Sequence, residues 1–315
     1  MEPDSWLGVE LRHLAALEAV AREGTFGRAA VALGYTQSAV SQQIQTLERI
    51  VGERLVERPG GPRAVSLTEA GALLLRHAEA IVARLHAAQA DMAALAQGLG
   101  GRLRVGTFQS VGARVLPAVM RRFSAEWPEV HVELTESASD EELLGYVERG
   151  ELDLAFAMPP LVEGPFETLE LLSDPYVLLV PAEHELAELA RANLADVGDV
   201  TLIGNRACRS TALAEGELAQ RGVGVDVAFR SDDNGTVQGL VGAGFGVALV
   251  PLLTVDPKDD QVRVIGLDPE IPPRRISLAW HRDRHRSPAA RAFTDVAAAV
   301  GAEVAARLDL VAVSN

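Results

Sequence analysis

The chain has 315 residues, of which 48% are hydrophobic and 23% charged, and its formal net charge is -15. This length exceeds that of one ordinary core and predicts two or three folded units, while the composition excludes general disorder. The single cysteine, Cys208, excludes an internal disulfide framework and fits a reducing compartment.

The negative charge is unevenly distributed along the chain. Residues 1–100 hold nine Arg and no Lys against eleven acidic residues, so most of the excess acid falls beyond residue 100. Arg49, Arg54, Arg58 and Arg63 cluster in one short stretch, which permits a locally positive surface. The overall charge therefore does not exclude a nucleic-acid partner for the N-terminal part.

Three short helices are predicted first. Apolar residues recur at helical spacing from 11 to 20. Thr25 can cap a second helix, and Gly34 can end it in a left-handed conformation. A third helix begins at Thr36 or Gln37, with an apolar side formed by Val40, Ile44 and Leu47. Two short helices joined by a glycine turn form a helix-turn-helix.

The outer face of the third helix is polar. Its side chains that can donate and accept hydrogen bonds are Gln37, Ser38, Ser41, Gln42 and Gln45. Such groups can reach base edges and phosphates in the major groove, which predicts a recognition helix. The alternative is a solvated polar face on a small helical bundle.

A β-hairpin with a Gly- and Pro-rich tip is predicted over residues 54–67. Arg58 and Arg63 flank the tip, where guanidinium groups suit the minor groove or the DNA backbone. The hairpin would be a wing, and residues 1–67 would form a winged helix-turn-helix DNA-binding domain.

One long helix is predicted from Thr68, a candidate cap, to about Gln97, before several glycines. Two seven-residue series of apolar positions run along it: Leu74, Ile81, Ala88 and Leu95, and Ala78, Leu85 and Met92. This spacing predicts a coiled-coil seam that pairs two copies of the chain. The alternative is that the seam packs against its own domain. Residues 68–98 are therefore assigned to a dimerisation linker.

The segment from 14 to 47 closely resembles the N-terminal domain of LysR-type transcriptional regulators. The resemblance lies in Gly24-Thr25-Phe26, Ala29-Ala30, Leu33, the run from Thr36 to Ile44, Leu47-Glu48, and Leu67-Thr68-Glu69-Ala70-Gly71 at the start of the linker helix. It implies DNA contacts by Gln37, Ser38, Ser41 and Gln42 and, in the wing, by Arg58 and Arg63. Ser38 replaces a frequent proline and Gln42 a frequent arginine, so base preference does not carry over from relatives.

Beyond Gly101, short buried strands alternate with helical segments, which predicts a mainly parallel sheet covered by helices. The predicted strands are Leu103–Thr107, Val130–Glu136, Leu152–Ala157, Tyr176–Val180, Val200–Ile203, Val225–Phe229, Gly246–Val250 and Ile276–Trp280. In such sheets ligands lie beyond the carboxyl ends of the strands. The arrangement is similar to the periplasmic-binding-protein-like sensor domain of the same family, including residues 150–155 and 242–251.

The resemblance implies an α/β effector-binding domain over 101–315, within an α+β multidomain protein. Subdomain I would span about 101–172 and 274–315, and subdomain II about 173–273, with a small-molecule effector between them. By the same analogy, the candidate effector contacts are Thr107, Gln109, Ser110, Asn205 and Asn234. Helix capping is the competing explanation, since Ser, Thr and Asn are frequent caps.

Three further features of the sequence give weaker indications of function. Cys208 lies where peroxide-sensing members of the family carry a reactive cysteine, but the chain has no second cysteine to resolve an oxidised form. His281 and His285 have the spacing of a metal pair, yet arginines flank them, so we expect solvated surface and no metal. The sequence contains no nucleophile elbow, phosphate loop or Cys-x-x-Cys, so we expect no enzyme, no catalytic residues and no cofactor.

Together these features predict a sequence-specific regulator that binds double-stranded DNA as a homodimer or homotetramer on an interrupted inverted repeat. A small-molecule effector would modulate its binding or bending of DNA. The rival is a stand-alone solute-binding protein or small-molecule enzyme with a helical extension. No basic region followed by an apolar run opens the chain, and glycines break the uncharged stretch at 236–255. We therefore expect a cytoplasmic protein without membrane contact.

Overall fold

The computed structural model of the protein describes residues 5–57, 65–97, 101–193, 197, 200–206, 209–224 and 226–314. Its contacts divide the chain into two compact units, Met1–Ala90 and Asp91–Asn315. Each unit has its own hydrophobic core. None of the described helices combines the length and the apolar character that a membrane span requires.

The N-terminal unit is a three-helix core with a short hairpin. Its elements are a 3-10 turn Ser5–Gly8, α1 (Leu11–Glu23), α2 (Phe26–Leu33), α3 (Gln37–Val51), β1 (Val56–Glu57), β2 (Ser66–Leu67) and α4 (Glu69–Gln97), which continues past the unit. The Thr25 hydroxyl accepts the Arg28 amide at 3.2 Å, and Gly34 ends α2 with a φ of 69°. Val56 pairs with Leu67 in an antiparallel register. The predicted helix-turn-helix and hairpin are confirmed.

The start of α4 is attached to the hairpin through the backbone of Leu55. The Thr68 amide donates to the Leu55 carbonyl at 3.0 Å, and the Thr68 hydroxyl caps α4 by accepting the Gly71 amide at 3.0 Å. A Cβ on Gly71 would lie 2.9 Å from the Leu55 carbonyl carbon and closer still to its oxygen. Thr68 is thus confirmed as the cap, and the close approach of two backbone segments requires glycine at 71.

The apolar seam of α4 begins later than predicted. Leu74 and Ala78 are 8% and 0% exposed because they pack into the core of their own unit. Ile81, Leu85 and Met92 are 48%, 48% and 66% exposed. For the first turns, therefore, the expectation of a dimer seam is wrong and packing against the chain's own domain is correct. The exposed stripe begins at Ile81.

The C-terminal unit contains two mixed β-sheets and their covering helices. Its strands are β3 (Arg102–Thr107), β4 (His131–Glu136), β5 (Leu154–Ala157), β6 (Phe166–Asp174), β7 (Tyr176–Pro181), β8 (Arg191–Asn193), β9 (Thr201–Asn205), β10 (Asp226–Ser231), β11 (Ala248–Pro251), β12 (Val262–Asp268) and β13 (Arg274–His281). Its helices are α5 (Gln109–Arg114), α6 (Leu116–Glu126), α7 (Asp140–Arg149), α8 (Arg209–Gln220), α9 (Asn234–Gly242) and α10 (Pro288–Ser314), with 3-10 turns at Glu185–Glu188 and Leu252–Thr254.

The first sheet has the strand order β4-β3-β5-β13-β6, and the second has the order β11-β7-β12-β8. Strands β9 and β10 form a parallel pair, and a bridge between Leu202 and Val247 connects this pair to the segment that leads into β11. Most of the predicted ligand contacts lie at the carboxyl ends of β3 and β9 or in α5, which follows β3.

All eight predicted strands are present, but the expectation of a mainly parallel sheet is wrong. Strand β3 pairs parallel with β4 and β5, whereas β13 pairs antiparallel with β5 and β6. Strand β7 pairs antiparallel with both β11 and β12. The missed strands include β6, in which Glu167 and Glu170 are exposed. An antiparallel strand with one solvated side lacks the continuous apolar run that marks a buried parallel strand.

The chain passes between the two sheets twice. Strand β6 ends at Asp174 and β7 begins at Tyr176, while β12 ends at Asp268 and β13 begins at Arg274. Asp174 and Arg274 are cross-strand partners in the first sheet. These two side chains, 100 residues apart in sequence, therefore meet beside both passages.

Candidate nucleic-acid interface and ligand cleft

Helix α3 has a polar surface opposite a buried apolar side. Its fully buried residues are Val40, Ile44 and Leu47, each 0% exposed. Gln37, Ser38 and Gln42 are exposed, and Ser41 is half-buried. Within the described part of the chain, the side-chain amides of Gln37 and Gln42 make no hydrogen bond, so they remain available to an external partner.

Hydrogen bonds at the first turn of α3 hold its polar face in place. The Thr36 hydroxyl accepts the Ala39 amide at 3.2 Å, and the hydroxyls of Thr36 and Ser38 lie 3.0 Å apart. Ser38 is therefore part of the cap as well as of the exposed face. Farther along the helix, the Glu48 carboxylate accepts the amides of Leu55 and Val56 at 2.9 and 3.3 Å, which attaches the hairpin to α3.

The predicted wing-tip residues Arg58 and Arg63 lie outside the described residues, as does Cys208. The described base of the wing is also tied to the turn between α1 and α2, because the Val65 amide donates to the Gly24 carbonyl at 2.8 Å.

Four of the five predicted effector contacts meet in one cleft of the C-terminal unit. Gln109 and Ser110 come from α5, Asn205 from the end of β9, and Asn234 from the start of α9. They border a cavity of about 80 Å³, which is lined by Phe108, Gln109, Ser110, Ala138, Met158, Asn205, Arg206, Ser210, Ser231, Asp232, Asn234, Thr254 and Arg274. Thr107 does not line this cavity: it is 3% exposed, and its hydroxyl donates to the Phe108 carbonyl at 3.4 Å.

Helix capping does not explain the positions of Ser110 and Asn234. The residue at the N-cap of α5 is Phe108, and the N-cap of α9 is Asp233, whose carboxylate accepts the Thr236 amide at 2.6 Å. Both predicted contacts lie inside their helices, next to the cavity.

Gln109 forms a two-point contact across the cleft. Its Nε2 donates to the Asp233 carboxylate at 2.8 Å, and its Oε1 accepts the Asn234 amide at 3.0 Å. Hydrogen bonds from the Thr236 amide, the Gln109 amide and the Thr236 hydroxyl lower the pKa of the Asp233 carboxyl. Helices α5 and α9 are thus held together in this conformation, and Gln109 keeps one N–H donor and one acceptor lone pair that no described group uses.

A second polar contact lies behind Met158 and Ser210, which line the cavity. Asp140, 3% exposed at the start of α7, accepts Arg209 Nη1 and the Met158 amide, both at 3.1 Å. No local signal in the sequence points to this pair, because 69 residues separate the partners and each is an ordinary charged residue at a helix start.

The buried ion pair of Asp174 and Arg274 was also missed. Arg274 Nε donates to the Asp174 carboxylate at 2.6 Å, and the two side chains are 0% and 4% exposed, respectively. Burial raises the pKa of Asp174, and the guanidinium of Arg274 opposes this shift. Arg274 belongs to the cavity lining, which makes it the most deeply buried charged side chain of the cleft wall among the described residues.

A larger cavity of about 450 Å³ adjoins the first one. Its lining consists of Gln109, Ser110, Ala113, Arg114, Asn234, Gly235, Gln238, Gly239, Leu253, Thr254, Asp256 and Asp259. Gln109, Ser110, Asn234 and Thr254 border both cavities. The contact between α5 and α9 therefore divides a space whose combined size lies in the range typical of small-molecule sites.

The expectation that the two histidines near the C-terminus form solvated surface is wrong for one of them. His281 is 6% exposed, and its Nδ1 accepts the Asp283 amide at 3.1 Å, whereas His285 is exposed. No cluster of three or more potential ligand side chains is arranged for a metal ion in the described part of the chain.

Two family models match the chain. A bacterial regulatory helix-turn-helix of the lysR family matches residues 11–72, and a LysR substrate binding domain matches residues 96–302. The HTH-type transcriptional regulator CbbR of Rhodospirillum rubrum is 32% identical over 290 residues, which cover 90% of this chain and 94% of that protein.

Solved structures share the fold of the chain. A full-length OxyR variant from Pseudomonas aeruginosa superimposes with a TM-score of 0.62 at 23% identity, covering 92% of this chain and 98% of that one. Full-length CbnR in complex with its target DNA gives a TM-score of 0.60 at 23% identity, covering 92% of this chain and 99% of that one.

Proposed function

The chain belongs to the LysR family of bacterial transcriptional regulators, and we propose that it reads DNA through Gln37, Ser38, Ser41 and Gln42 of α3. The observation that carries this assignment is the exposed polar side of α3, whose glutamine amides have no intramolecular partner in the described chain. Amides of this kind donate and accept at base edges in the major groove. Ser41 is half-buried, so its hydroxyl suits a phosphate or a water-mediated contact better than a direct base contact.

The wing supplies the second part of the proposed DNA interface. The described base of the hairpin is held to α3 by Glu48 and to α4 by Thr68, and the proposed contacts Arg58 and Arg63 belong to the wing that begins at this base. Positive charge there would compensate for the acidity of the rest of the protein, because phosphate contacts release counterions. We assign residues 1–67 to this DNA-binding domain.

A second copy of the chain completes the DNA-binding form. The stripe of Ile81, Leu85 and Met92 is exposed and has helical spacing, so it fits the same stripe of a partner helix. Two recognition helices would then read an interrupted inverted repeat, whose two halves mirror the symmetry of the dimer. We assign residues 68–98 to this linker. A homotetramer would be a pair of such dimers.

The C-terminal cleft is the proposed effector site. Ser110, Gln109, Asn205 and Asn234 converge on it from α5, β9 and α9, so a ligand there would touch all three elements. We place subdomain I at about 101–172 and 274–315 and subdomain II at about 173–273. A ligand that binds the open and closed forms unequally shifts the equilibrium between them, which is the physical requirement for control of DNA binding or bending. The assignment implies a cytoplasmic protein that is not an enzyme.

Fluorescence anisotropy with DNA from upstream of the protein's own gene tests the DNA-reading assignment. Gln42→Ala should weaken specific binding about tenfold and relax base preference, because one base contact contributes roughly 1–3 kcal/mol. Arg58→Ala should weaken binding to all sequences and reduce the salt slope by about one. Gln89→Ala, on the exposed side of α4, is the matched control and should bind as the parent does. Parental binding by both of the first two variants would refute the assignment.

A thermal-shift screen with metabolites tests the effector site. A ligand that stabilises the parent should lose most of its effect in Asn234→Ala, since Asn234 borders both cavities of the cleft. Equal stabilisation of parent and variant would place the ligand elsewhere.

A further inference from the structure

Arg274 is a buried cation whose side chain is fixed by protein groups on one side. Its Nε donates to Asp174 at 2.6 Å, and the guanidinium lies 5.7 Å from the ring centre of Phe108. Asp174 is 0% exposed and also accepts the Leu253 amide at 3.0 Å. The carboxylate is therefore enclosed behind the guanidinium and does not face the cavity. The edge of the Arg274 guanidinium that lies away from Asp174 borders the cavity.

The hydrogen bonds that Arg274 makes to other residues do not use all of its N–H donors. A guanidinium has five N–H groups and no acceptor. Nε is used by Asp174, and Nη2 donates to the Ser110 hydroxyl at 2.8 Å. Across the residues that the structure describes, Nη1 has no hydrogen-bond acceptor. Nη1 is not among the fully buried unpaired atoms of the described residues, so it faces open space at the cleft and can donate to a ligand that supplies an acceptor.

Ser110 adds a further donor at the same place. Its oxygen accepts from Arg274, so the hydroxyl hydrogen must point to another acceptor. Among the described residues no acceptor for that hydrogen is present, and Ser110 is 3% exposed at the cavity wall. Two adjacent residues thus present N–H and O–H donors to one small space.

We propose that Arg274 and Ser110 select an anionic effector by binding its carboxylate group, an inference that rests on the proposed effector site. A carboxylate has only acceptor atoms, and its bonds to a guanidinium are charge-assisted and about twice as strong as neutral ones. A cation would meet the guanidinium edge and be repelled. A primary amide of the same shape has one acceptor oxygen and one NH2 group. It would either place this NH2 group against the donors of Arg274 and Ser110 or bind them through its oxygen alone. The cavity of about 80 Å³ beside Arg274 accommodates a compact group of this size.

The competing explanation is that Arg274 only braces the passage between the sheets. If Arg274 has only this structural role, its variants should lose stability without any change in the preference for charged over neutral ligands. The preference between an acid and its amide is therefore the readout that separates the two roles.

The experiment uses the full-length protein and two probes, acetate and acetamide, titrated to 50 mM at constant ionic strength with saturation-transfer NMR and thermal shift. The parent should bind acetate saturably and acetamide at least about tenfold more weakly. Arg274→Gln alone would leave Asp174 unpaired, so it is combined with Asp174→Asn. That double variant should bind acetate about tenfold more weakly and lose the preference over acetamide. Ser110→Ala, which retains the ion pair, should show a smaller loss of about threefold.

The neighbouring exposed pair of Arg275 and Glu170 provides a matched control. These side chains are 54% and 51% exposed on the same two strands, and the double change to glutamine should leave acetate binding within twofold of the parent. Equal binding of acetate and acetamide, an acetate preference retained in the Arg274 variant, or no acetate binding at all would overturn the inference. Binding of promoter DNA is measured in parallel. If one of these results is found while the parent protein still binds DNA, only the anion inference fails. If the parent protein does not bind DNA, the proposed function fails.

Discussion

Substitution of Gly71 by alanine should separate the linker helix from the wing. The new Cβ would lie 2.9 Å from the Leu55 carbonyl carbon and 3.2 Å from its Cα, where ordinary carbon contacts are about 3.5–4.0 Å. Both partners are backbone, so no side chain can rotate away. The Leu55 carbonyl also accepts the Thr68 amide, and shifting it weakens that bond.

Overpacking costs roughly 1–3 kcal/mol where side chains can adjust, and a hydrogen bond contributes about 1 kcal/mol. We therefore expect Gly71→Ala to lower the unfolding free energy of the N-terminal unit by about 3–4 kcal/mol, or roughly 15–20 °C in melting temperature. Hydrogen exchange of peptides from α1 to α4 in the full-length protein measures this loss. DNA affinity should fall with it, since the wing is attached at this junction.

Gly27→Ala is the matched control in the same unit. The nearest atom to its Cβ would be Gln37 Oε1 at 4.0 Å, and alanine in a helix gains up to about 1 kcal/mol over glycine. If Gly71→Ala were within 1 kcal/mol of Gly27→Ala, the two backbone segments would not be in the contact described here, and the physical account of this junction would be wrong.

Three further predictions concern the N-terminal unit and the linker. Burial lowers the pKa of His13, whose Nδ1 accepts the Glu10 amide at 3.1 Å, so this part of the stability is complete above about pH 6.5 and is lost as pH falls through the lowered value. Hydrogen exchange of α1 should accelerate between pH 7.5 and 5.5, and His13→Gln should flatten that dependence. Leu85→Glu should shift sedimentation towards the monomer, whereas Ala80→Glu, at an exposed position outside the stripe, should not; an unchanged dimer in both would exclude the exposed stripe as the interface. Glu48→Ala leaves two hairpin amides without their acceptor and should cost roughly 1–3 kcal/mol, against a smaller loss in Glu48→Gln, and equal losses by denaturant titration would contradict this role.

Local signals in the sequence were sufficient for the DNA-reading half of the protein. Thr25 and Gly34 delimit α2 because a hydroxyl cap and a left-handed glycine act within a few residues. The polar face of α3 follows from helical periodicity, which a sequence displays directly. The same holds for the eight strands of the C-terminal unit, whose short apolar runs are visible without any knowledge of their neighbours.

The heptad pattern of α4 does not predict which part of the helix is buried in its own unit. Periodicity identifies an apolar stripe but not what covers each part of it. Leu74, Ala78 and the partly buried Val82 pack against the core of their own unit, whereas Ile81, in the same turn as Val82, is 48% exposed. The boundary depends on the dimensions of the core and is absent from the pattern itself.

The sequence by itself determined the helix-turn-helix, the cap at Thr68, the order of strands and helices, and a polar cleft lined by Ser110 and Asn234. Tertiary structure alone decided that β13 lies antiparallel between β5 and β6, that Asp140 meets Arg209, and that Asp174 and Arg274 form a buried pair. Caps and periodicity arise from interactions between residues a few positions apart. The charge pairs join residues 69 and 100 positions apart, and the pairing of β13 with β5 joins residues such as Ala157 and Ser277 that lie farther apart still, so these contacts are fixed only when the whole chain has packed.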